Sequence, residues 1–374
     1  MKIIYIIRQE LQIYPPCLAQ IQYINDFGID VMVVYGGCNE AVKEILDKKG
    51  IEHIDLKLMR KKKGYVDKIT NIIGYRKKVI KLLKQYCQKD DIIWFGTADS
   101  AFLLQGKITK RKNFVMTVLE LYDDNKFYRK NIGRIIHEAK AVVCCEKTRA
   151  QIMKLWWNLE RQPYVLPNKP YEHPTARDLT GTLDITSNMI NKMCDSIGII
   201  YQGIFTKDRN VGNIAKALNE LNQDIVLYLM GNDPKENHKD IKEIYDKTVY
   251  LGFAPAPFHL EVTSHANIGI ALYDGTNMNN IFCAPNKIYE YAGFGIPVLG
   301  SDIPGLRSTI GQWNAGKCVD FDDIESIKNA ITEILNNYDI YSENAKSMFA
   351  AIDNKKTMRG ILEDLSLIKG NDKL

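Results

Sequence analysis

The sequence predicts an α/β protein made of two doubly wound domains, each with a parallel sheet between layers of helices. Short β-branched runs alternate with helical patterns in both halves, and a proline-rich segment separates the two series. The length of 374 residues fits about two domains of roughly 150 residues each. With 45% hydrophobic residues and only 25 Gly and 12 Pro, the chain can bury real cores, which excludes a disordered or fibrous protein.

The first series begins with a buried strand over residues 2–7 and a second strand over residues 30–35. Apolar residues at helical spacing lie between them, and Gly28 is a suitable helix stop, so the segment forms a βαβ unit. Further strands are predicted at 92–95, 113–119 and 141–145, with helices at 65–87 and 127–138. This alternation predicts a parallel sheet.

The second series begins at Ile197 and alternates in the same way. Its predicted strands cover 197–201, 225–230, 249–251, 268–272 and 297–299, and its predicted helices cover 213–221, 239–246, 258–264, 287–294 and 324–335. We therefore predict a first domain over 1–170, a linker or insertion over 171–196 and a second domain over 197–350. Residues 351–374 form a C-terminal helix or tail, for which packing back on the first domain is one option.

Charge is divided unevenly between the halves. Residues 1–170 contain 31 Lys and Arg against 18 Asp and Glu, a net +13, while the remainder carries −8 and the whole chain +5. A basic half joined to an acidic half predicts domains with different partners. Eight scattered cysteines without a C-x-x-C pair predict buried free thiols in a reducing compartment. No apolar run suits a signal peptide or a membrane span, so we expect a cytoplasmic protein.

Three strand ends of the acidic half carry weak ligand-binding signals, since open α/β sheets bind ligands at the carboxyl ends of their strands. After the first of these strands, backbone amides at a helix start could hold a phosphate, with the Arg209 guanidinium as the first-choice partner and Lys207 as the second. A solvated loop is the alternative for this segment, and a plain turn for the second strand end. The glycines and base-lining candidates at the three ends are Gly203, Gly231, Leu251, Gly252 and Phe253.

The fourth signal is the strongest and covers residues 283–299. A loop edged by Pro285 opens a helix with Glu290 on its first turn, and Gly295 ends that helix before a buried strand. A carboxylate in this position can accept hydrogen bonds from both hydroxyls of a ribose, while amides of the helix start face phosphates. The alternative is that Glu290 only complements the helix dipole.

The order and spacing of these pieces resemble the donor-binding domain of retaining glycosyltransferases of the GT-B fold. The best match is glycosyltransferase family 4, the group 1 transferases of bacterial surface polysaccharides. The pieces are YQG at 201–203 with Arg209, LMG at 229–231, VYLG at 249–252, PNKIYEY at 285–291 with GIPV at 295–298, NAGK at 314–317, and PYVLPN at 163–168. The resemblance implies two Rossmann-like domains facing across a cleft, the first binding acceptor and the second donor.

The resemblance further implies transfer of a hexose, with retention, from a nucleotide-diphosphate sugar to a glycan or lipid-linked glycan in surface polysaccharide biosynthesis. Glu290 would hold the donor ribose, Arg209 would contact the diphosphate beside Asn286 and Lys287, and residues 251–253 would line the base. Arg209 and helix N-termini would stabilise the leaving group, so we expect no metal and no cofactor.

Two departures from the family pattern affect the predicted site. The family pairs two glutamates eight residues apart, and the position eight before Glu290 is Phe282, so the donor sugar is assigned to Asn279, Asn280 or Cys283. The first strand leads into 8–10 (Arg-Gln-Glu) instead of a Gly-rich loop, and no His takes the family's place near the reaction centre. Glu120, or as second choice Asp99, is the candidate there, and a surface turn is the alternative for Glu120.

Basic stretches of the first half lie at 57–63, 76–84 and 107–112. They are either a solvated face or a surface that docks on anionic lipid at the inner face of a membrane, and nucleic acid is disfavoured because aromatics do not interleave with the lysines. The acidic run at 320–323 fits a helix N-cap better than a metal motif. Rival functions are a nucleotide-sugar epimerase of related fold and a non-catalytic GT-B partner subunit, which the missing first glutamate favours.

Overall fold

The computed structural model describes residues 1–58, 65–106, 113–193, 196–205 and 211–369. The chain divides into two compact units. Unit 1 comprises Met1–Tyr171 and the C-terminal segment from Asp353, and unit 2 comprises Glu172–Ile352. Each unit contains a parallel sheet with helices between successive strands, so the predicted α/β class with two doubly wound domains is confirmed.

Unit 1 contains seven parallel strands in the described residues, in the order β3-β2-β1-β4-β5-β6-β7. The strands are β1 (Ile3–Glu10), β2 (Val31–Gly37), β3 (Glu52–Asp55), β4 (Ile92–Phe95), β5 (Phe114–Thr117), β6 (Ala141–Cys144) and β7 (Tyr164–Val165). The helices are α1 (Pro15–Asp26), α2 (Glu40–Lys48), α3 (Tyr65–Tyr86), α4 (Ala98–Phe102), α5 (Lys126–Gly133) and α6 (Lys147–Trp156), with 3-10 turns at Leu11–Ile13 and Ile136–Glu138.

The core of unit 1 lies where β1 and β2 meet helix α1. Both strands are β-branched runs whose central residues are fully buried, as expected for a parallel sheet covered on both faces. Two prolines stand at the start of α1, where a missing N–H costs nothing, and Gly28 follows its end with a φ of 71°. The last helix of the chain packs on this core through Met358, Ile361 and Leu362.

Unit 2 contains six parallel strands in the described residues, in the order β10-β9-β8-β11-β12-β13. The strands are β8 (Ile197–Gln202), β9 (Ile225–Met230), β10 (Thr248–Gly252), β11 (Ile268–Ala271), β12 (Val298–Ser301) and β13 (Gly316–Val319). The helices are α7 (Asp184–Ile190), α8 (Gly212–Leu221), α9 (Asn237–Ile244), α10 (His259–Thr263), α11 (Met278–Ile281), α12 (Asn286–Gly293), α13 (Pro304–Leu306), α14 (Ile324–Asn336) and α15 (Tyr338–Ala351), with a π turn at Arg307–Gly311. The C-terminal helix of unit 1 is α16 (Asn354–Asp364).

The segment 172–196, predicted as a linker or insertion, is part of unit 2. Its helix α7 places Met189 in the hydrophobic cluster on one face of the sheet. The residues around α7 are mostly polar, so the composition of the segment does not predict this contact. The Arg177 guanidinium donates to the carbonyl of Ser264 at 2.7 Å, which fixes the segment to the end of α10.

The prediction that the cysteines are buried holds for four of the described cysteines and is wrong for three. Cys17, Cys144, Cys145 and Cys283 are buried as predicted, but Cys38 and Cys87, which follow the ends of β2 and α3, and Cys318, on the edge strand β13, are partly exposed. Cys194 lies outside the described residues. In the described part of the chain, no helix combines the length and apolar character that crossing a bilayer requires.

Candidate functional site

Three glycines mark the carboxyl ends of the neighbouring strands β8, β9 and β10. Gly203, Gly231 and Gly252 have φ values of 147°, 147° and 97°, which side chains rarely adopt. The Gly203 amide donates to the Met230 carbonyl at 2.9 Å, and the Gly231 amide donates to the Gly252 carbonyl at 2.7 Å. A Cβ at Gly231 would lie 1.8 Å from the Gly203 carbonyl oxygen, so the strand ends pack backbone to backbone. These predicted site glycines therefore build one continuous backbone surface.

Glu290 is the fifth residue of α12, which begins at Asn286 after the N-cap residue Pro285. The prediction that Glu290 stands on the first turn is therefore wrong, and so is the alternative that it only complements the helix dipole, an effect limited to the end turn. The carboxylate is instead buried, with 8% of the residue exposed. The next residue, Tyr291, packs its ring against Gly269 of β11, where a Cβ would lie 2.4 Å from the ring, and so holds α12 against the sheet.

Two side chains hold the same oxygen of the Glu290 carboxylate. Gln202, the last residue of β8, donates from Nε2 to Oε2 at 2.5 Å. His259, the first residue of α10, places Nε2 3.3 Å from Oε2. The Thr263 hydroxyl lies 2.8 Å from Gln202 Oε1, so it fixes which way the amide faces. Elements β8, α10 and α12 thus converge on one buried carboxylate.

Electrostatics keep this carboxylate ionised. Burial acts to raise the pKa of Glu290, but His259 and Lys287 lower it, and the net shift is below the ordinary value. A buried anion with hydrogen-bond donors on one oxygen can accept further hydrogen bonds from a ligand, such as the hydroxyls of a sugar ring.

Lys287 places a buried cation beside the end of β8. Its ammonium donates to the Gln202 carbonyl at 2.5 Å and lies 4.8 Å from the centre of the Tyr201 ring. A Cβ at Gly203 would be 3.2 Å from the same ammonium. Asn286 occupies the first helical position, so the two residues expected beside a diphosphate stand at the N-terminus of α12, where the helix dipole also favours an anion.

His173 supports Glu290 from the segment predicted as a linker. Its Nε2 donates to the Glu290 carbonyl at 2.8 Å, while its buried Nδ1 has no hydrogen-bond partner in the described structure. Burial lowers the pKa of His173 because the charged form would lose its hydration, and this outweighs the opposing effect of the hydrogen bond to the Glu290 carbonyl. The ring packs on Phe294 and Phe349, and a side chain at Gly293 would collide with it.

The remaining donor-side candidates are more dispersed. Leu251 is buried and Phe253, directly after β10, is 49% exposed. Asn279 and Asn280 lie on the one-turn helix α11, where the Asn280 amide donates to Asp274 at 2.6 Å. Cys283 is buried, and Phe282, at the end of α11, is partly exposed. Lys207 and Arg209, assigned to the diphosphate, lie outside the described residues.

Unit 1 contains the two acidic candidates for the acceptor side. Glu120 follows β5 with its side chain 50% exposed and 3.3 Å from Arg149 Nη1. Asp99, on α4 after β4, is buried and accepts from Arg8 Nε and from the Thr97 hydroxyl, both at 2.7 Å. Because Arg8 and Thr97 engage both oxygens of Asp99, Glu120 remains the more accessible carboxylate.

The acidic run at 320–323 caps a helix. Asp323 is the N-cap residue of α14 and accepts from the amides of Glu325 and Ser326, as predicted. Asp320 accepts from the Asp322 amide at 2.9 Å. Among the described residues, no group of three or more His, Cys, Asp or Glu is arranged to hold a metal ion.

Sequence reasoning missed Gln202, His259, Thr263 and His173. The polar residue between Tyr201 and Gly203, at the end of a buried strand, is a local signal that could have identified Gln202. His259 and Thr263 are one helical turn apart, which places them on one face of α10. No local signal identifies His173, because its contacts lie more than a hundred residues away in the chain.

The two-domain fold of this chain is shared by several solved structures. Solved structures with the same architecture include a glycosyltransferase from Rickettsia africae ESF-5, at 16% identity over 99% of both chains with a TM-score of 0.69. Anabaena Alr3699/HepE in complex with UDP aligns at 14% identity over 98% of this chain and 100% of that chain, with a TM-score of 0.70. Sucrose-phosphate synthase from Thermosynechococcus elongatus aligns at 15% identity over 98% of both chains, with a TM-score of 0.68. At these identities the likeness is one of fold, the two Rossmann-like domains of the GT-B class.

Similarity to a known sequence family is found within unit 2. Residues 197–337, which make up most of unit 2, match the family model described as "Glycosyl transferases group 1". The match includes Gln202, His259 and Glu290, and unit 1 lies outside it. No curated protein sequence matches the chain.

Proposed function

We propose that this protein is a metal-independent glycosyltransferase that moves a hexose from a nucleotide-diphosphate sugar to a glycan or lipid-linked glycan. The observation that carries the proposal is the buried, ionised Glu290 at the strand ends of a group 1 domain, with Lys287 and a helix N-terminus beside it. The complex of the Anabaena neighbour with UDP supports a nucleotide donor. Retention of the anomeric configuration and a role in surface polysaccharide biosynthesis are part of the proposal.

On the donor side, Glu290 holds the ribose and the amides at the start of α12 face the diphosphate. Breaking the sugar–phosphate bond builds negative charge on the leaving group and positive character on the sugar. Lys287 is placed to stabilise that leaving group, and Arg209 and Lys207 are proposed to complete the set. Leu251, Gly252 and Phe253 form the wall for the base, and residues of α11 with Cys283 meet the donor sugar in place of the family's first glutamate.

On the acceptor side, the proposal assigns unit 1 to the glycan, with Glu120 as the catalytic candidate. Glu120 has an exposed carboxylate at the end of a central strand, whereas Asp99 is fully engaged by Arg8 and Thr97. A half-exposed carboxylate can still turn toward an acceptor hydroxyl and take its proton.

Helix α3 supports a further part of the proposal, docking on an anionic membrane. Ile69 and Ile73 are 41% and 46% exposed, and Ile73 lines a surface groove with Arg76, Lys77, Lys81 and Lys84. Each basic residue near an anionic surface contributes about 1 kcal/mol. We expect the protein to sediment with phosphatidylglycerol vesicles and not with phosphatidylcholine vesicles, and Lys77→Glu with Lys81→Glu to abolish this binding. Equal binding to both vesicles would contradict the docking.

The donor proposal is tested with UDP, GDP, ADP and their sugar conjugates by thermal shift and calorimetry. A ligand at 100 times its Kd stabilises the folded protein by about 2.7 kcal/mol. Glu290→Gln removes a charged hydrogen-bond acceptor, so the affinity for the bound nucleotide should fall about 10- to 100-fold, since such bonds contribute about 1.5–3 kcal/mol. Glu243→Gln, an exposed residue of α9, is the control and should bind as the wild type does.

Each rival function has its own outcome in this experiment. If none of the nucleotides or nucleotide sugars binds, the chain is a non-catalytic partner subunit. If the sugar of a bound donor changes configuration without any acceptor, and no glycoside forms, the protein is an epimerase.

A further inference from the structure

We infer that His259 is a positioning residue for Glu290, holding one carboxylate oxygen so that the other meets the nucleotide ribose. The inference rests on the proposed function and deepens it, because it assigns a role to a residue outside the predicted site. The geometry that points to it is the convergence of His259 and Gln202 on a single oxygen.

Both contacts are made to the same oxygen of the Glu290 carboxylate, which leaves its second oxygen for a ligand. Gln202 Nε2 lies 2.5 Å from Glu290 Oε2, and His259 Nε2 lies 3.3 Å from the same atom. A carboxylate held by two donors on one oxygen has its plane fixed and its second oxygen directed. Fixing a binding group before the ligand arrives reduces the entropy that binding must otherwise overcome.

Helix α10 contacts both members of the Gln202–Glu290 pair, through two residues that are one helical turn apart. His259 contacts Glu290 directly, while the Thr263 hydroxyl lies 2.8 Å from Gln202 Oε1 and 2.9 Å from the His259 carbonyl. The single hydroxyl proton of Thr263 is shared between these two acceptors, so helix α10 orients Glu290 directly through His259 and indirectly through Gln202. Hydrogen-bond networks of this kind are sensitive to the loss of any one donor.

The orientation of the His259 ring depends on its Nε2 contact, because the other ring nitrogen, Nδ1, makes no hydrogen bond to the described residues. Nδ1 is buried and has no hydrogen-bond partner among the described residues. The contact of Nε2 with Glu290 is thus the polar interaction that fixes the imidazole. A buried polar atom without a partner costs free energy, so the Nε2 contact is made at some cost to stability.

A pair of near-isosteric variants tests the inference. Gln places its side-chain N–H near the position of His Nε2, whereas Asn is one carbon shorter and does not reach it. We expect His259→Gln to bind the nucleotide within about 3-fold of wild type and His259→Asn to bind about 10-fold more weakly. The probes are UDP, GDP and ADP in calorimetry on the full chain, with thermal unfolding as the check that each variant folds.

A double-mutant cycle separates positioning from direct contact. In the Glu290→Gln background, His259→Asn should weaken binding less than about 2-fold, because coupled residues are not additive. Equal losses for the Asn and Gln variants, or a full 10-fold loss in the Glu290→Gln background, would overturn the inference and leave the proposed function standing. If no nucleoside diphosphate binds the wild-type chain, the proposed function fails and the inference fails with it.

Discussion

Asp99 in unit 1 and Glu290 in unit 2 are both buried carboxylates near the carboxyl end of a central strand, and they have different partners. In unit 1, Asp99 accepts from Arg8 at 2.7 Å, and the Arg8 side chain also reaches Asn71 at 3.2 Å. In unit 2, Glu290 faces an amide and an imidazole, with Lys287 on the neighbouring carbonyl. One anion is paired with a permanent cation in direct contact, and the other is held by groups that neutralise it only in part.

The difference separates a structural carboxylate from one able to bind a ligand. Arg8 remains charged at any accessible pH, since Asp99 raises its pKa against the opposing effect of burial. A ligand approaching Asp99 would have to displace a bond that the fold has already made. Glu290 keeps its charge without such a partner, so hydroxyl donors from a ligand can add to its hydrogen bonds.

The largest expected effect follows from breaking the unit 1 pair. Asp99→Ala leaves the partly buried Arg8 guanidinium, whose side chain is 21% exposed, without its carboxylate partner. Removing one member of a fully buried pair costs about 3–5 kcal/mol of folding free energy, so we expect a loss toward the lower end of that range. Denaturant unfolding should show this loss, while nucleotide affinity measured on the folded protein should stay at the wild-type value. A matched double variant, Arg8→Met with Asp99→Leu, should recover much of the stability because it removes both charges.

The contrast between a structural Asp99 and a ligand-binding Glu290 would be contradicted if Asp99→Ala weakened nucleotide binding as strongly as Glu290→Gln does. That result would place the unit 1 carboxylate in the binding machinery. A stability loss below about 1 kcal/mol would also contradict it, because that is the size of a surface pair.

Much of the fold could be predicted from the sequence because parallel strands are buried on both faces. Strands β4 and β9 match their predicted bounds, since each is an uninterrupted apolar run. Strand β3 was missed because its residues Glu52–Asp55 lie at the sheet edge, where alternate charged residues are tolerated and no apolar run is required. Helix α7 was missed because a few buried residues in a polar segment fix it to the core.

The candidate site could be predicted only where its residues belong to local patterns. Glu290 and Lys287 stand in a loop–helix–strand pattern that one stretch of sequence contains. Gln202 and His259 reach Glu290 from 88 and 31 positions away, and His173 from 117. Such contacts arise from the order of strands in the sheet, which brings β8 beside β11 and α12 over both. These contacts are therefore set by tertiary packing, and no local sequence pattern predicts them.

The smallest expected effect concerns acid and sharpens the contrast between the two units. His173 donates from Nε2 to the Glu290 carbonyl and is buried neutral, so its pKa in the folded state lies below the ordinary value of 6.5. A depressed pKa gives stability that is complete above the unfolded-state value and is lost as the pH falls through the folded-state value. Between pH 7.5 and 5.5 the Tm of the wild type should therefore fall more steeply than that of His173→Gln, which keeps an N–H donor but cannot take up a proton. The two proteins differ only at position 173, so the difference in slope reports His173, and parallel slopes would show that its burial does not oppose protonation. Arg8 stays charged throughout this range, so the unit 1 pair should contribute nothing to the difference, and acid should act on the surroundings of Glu290 while leaving the cation beside Asp99 in place.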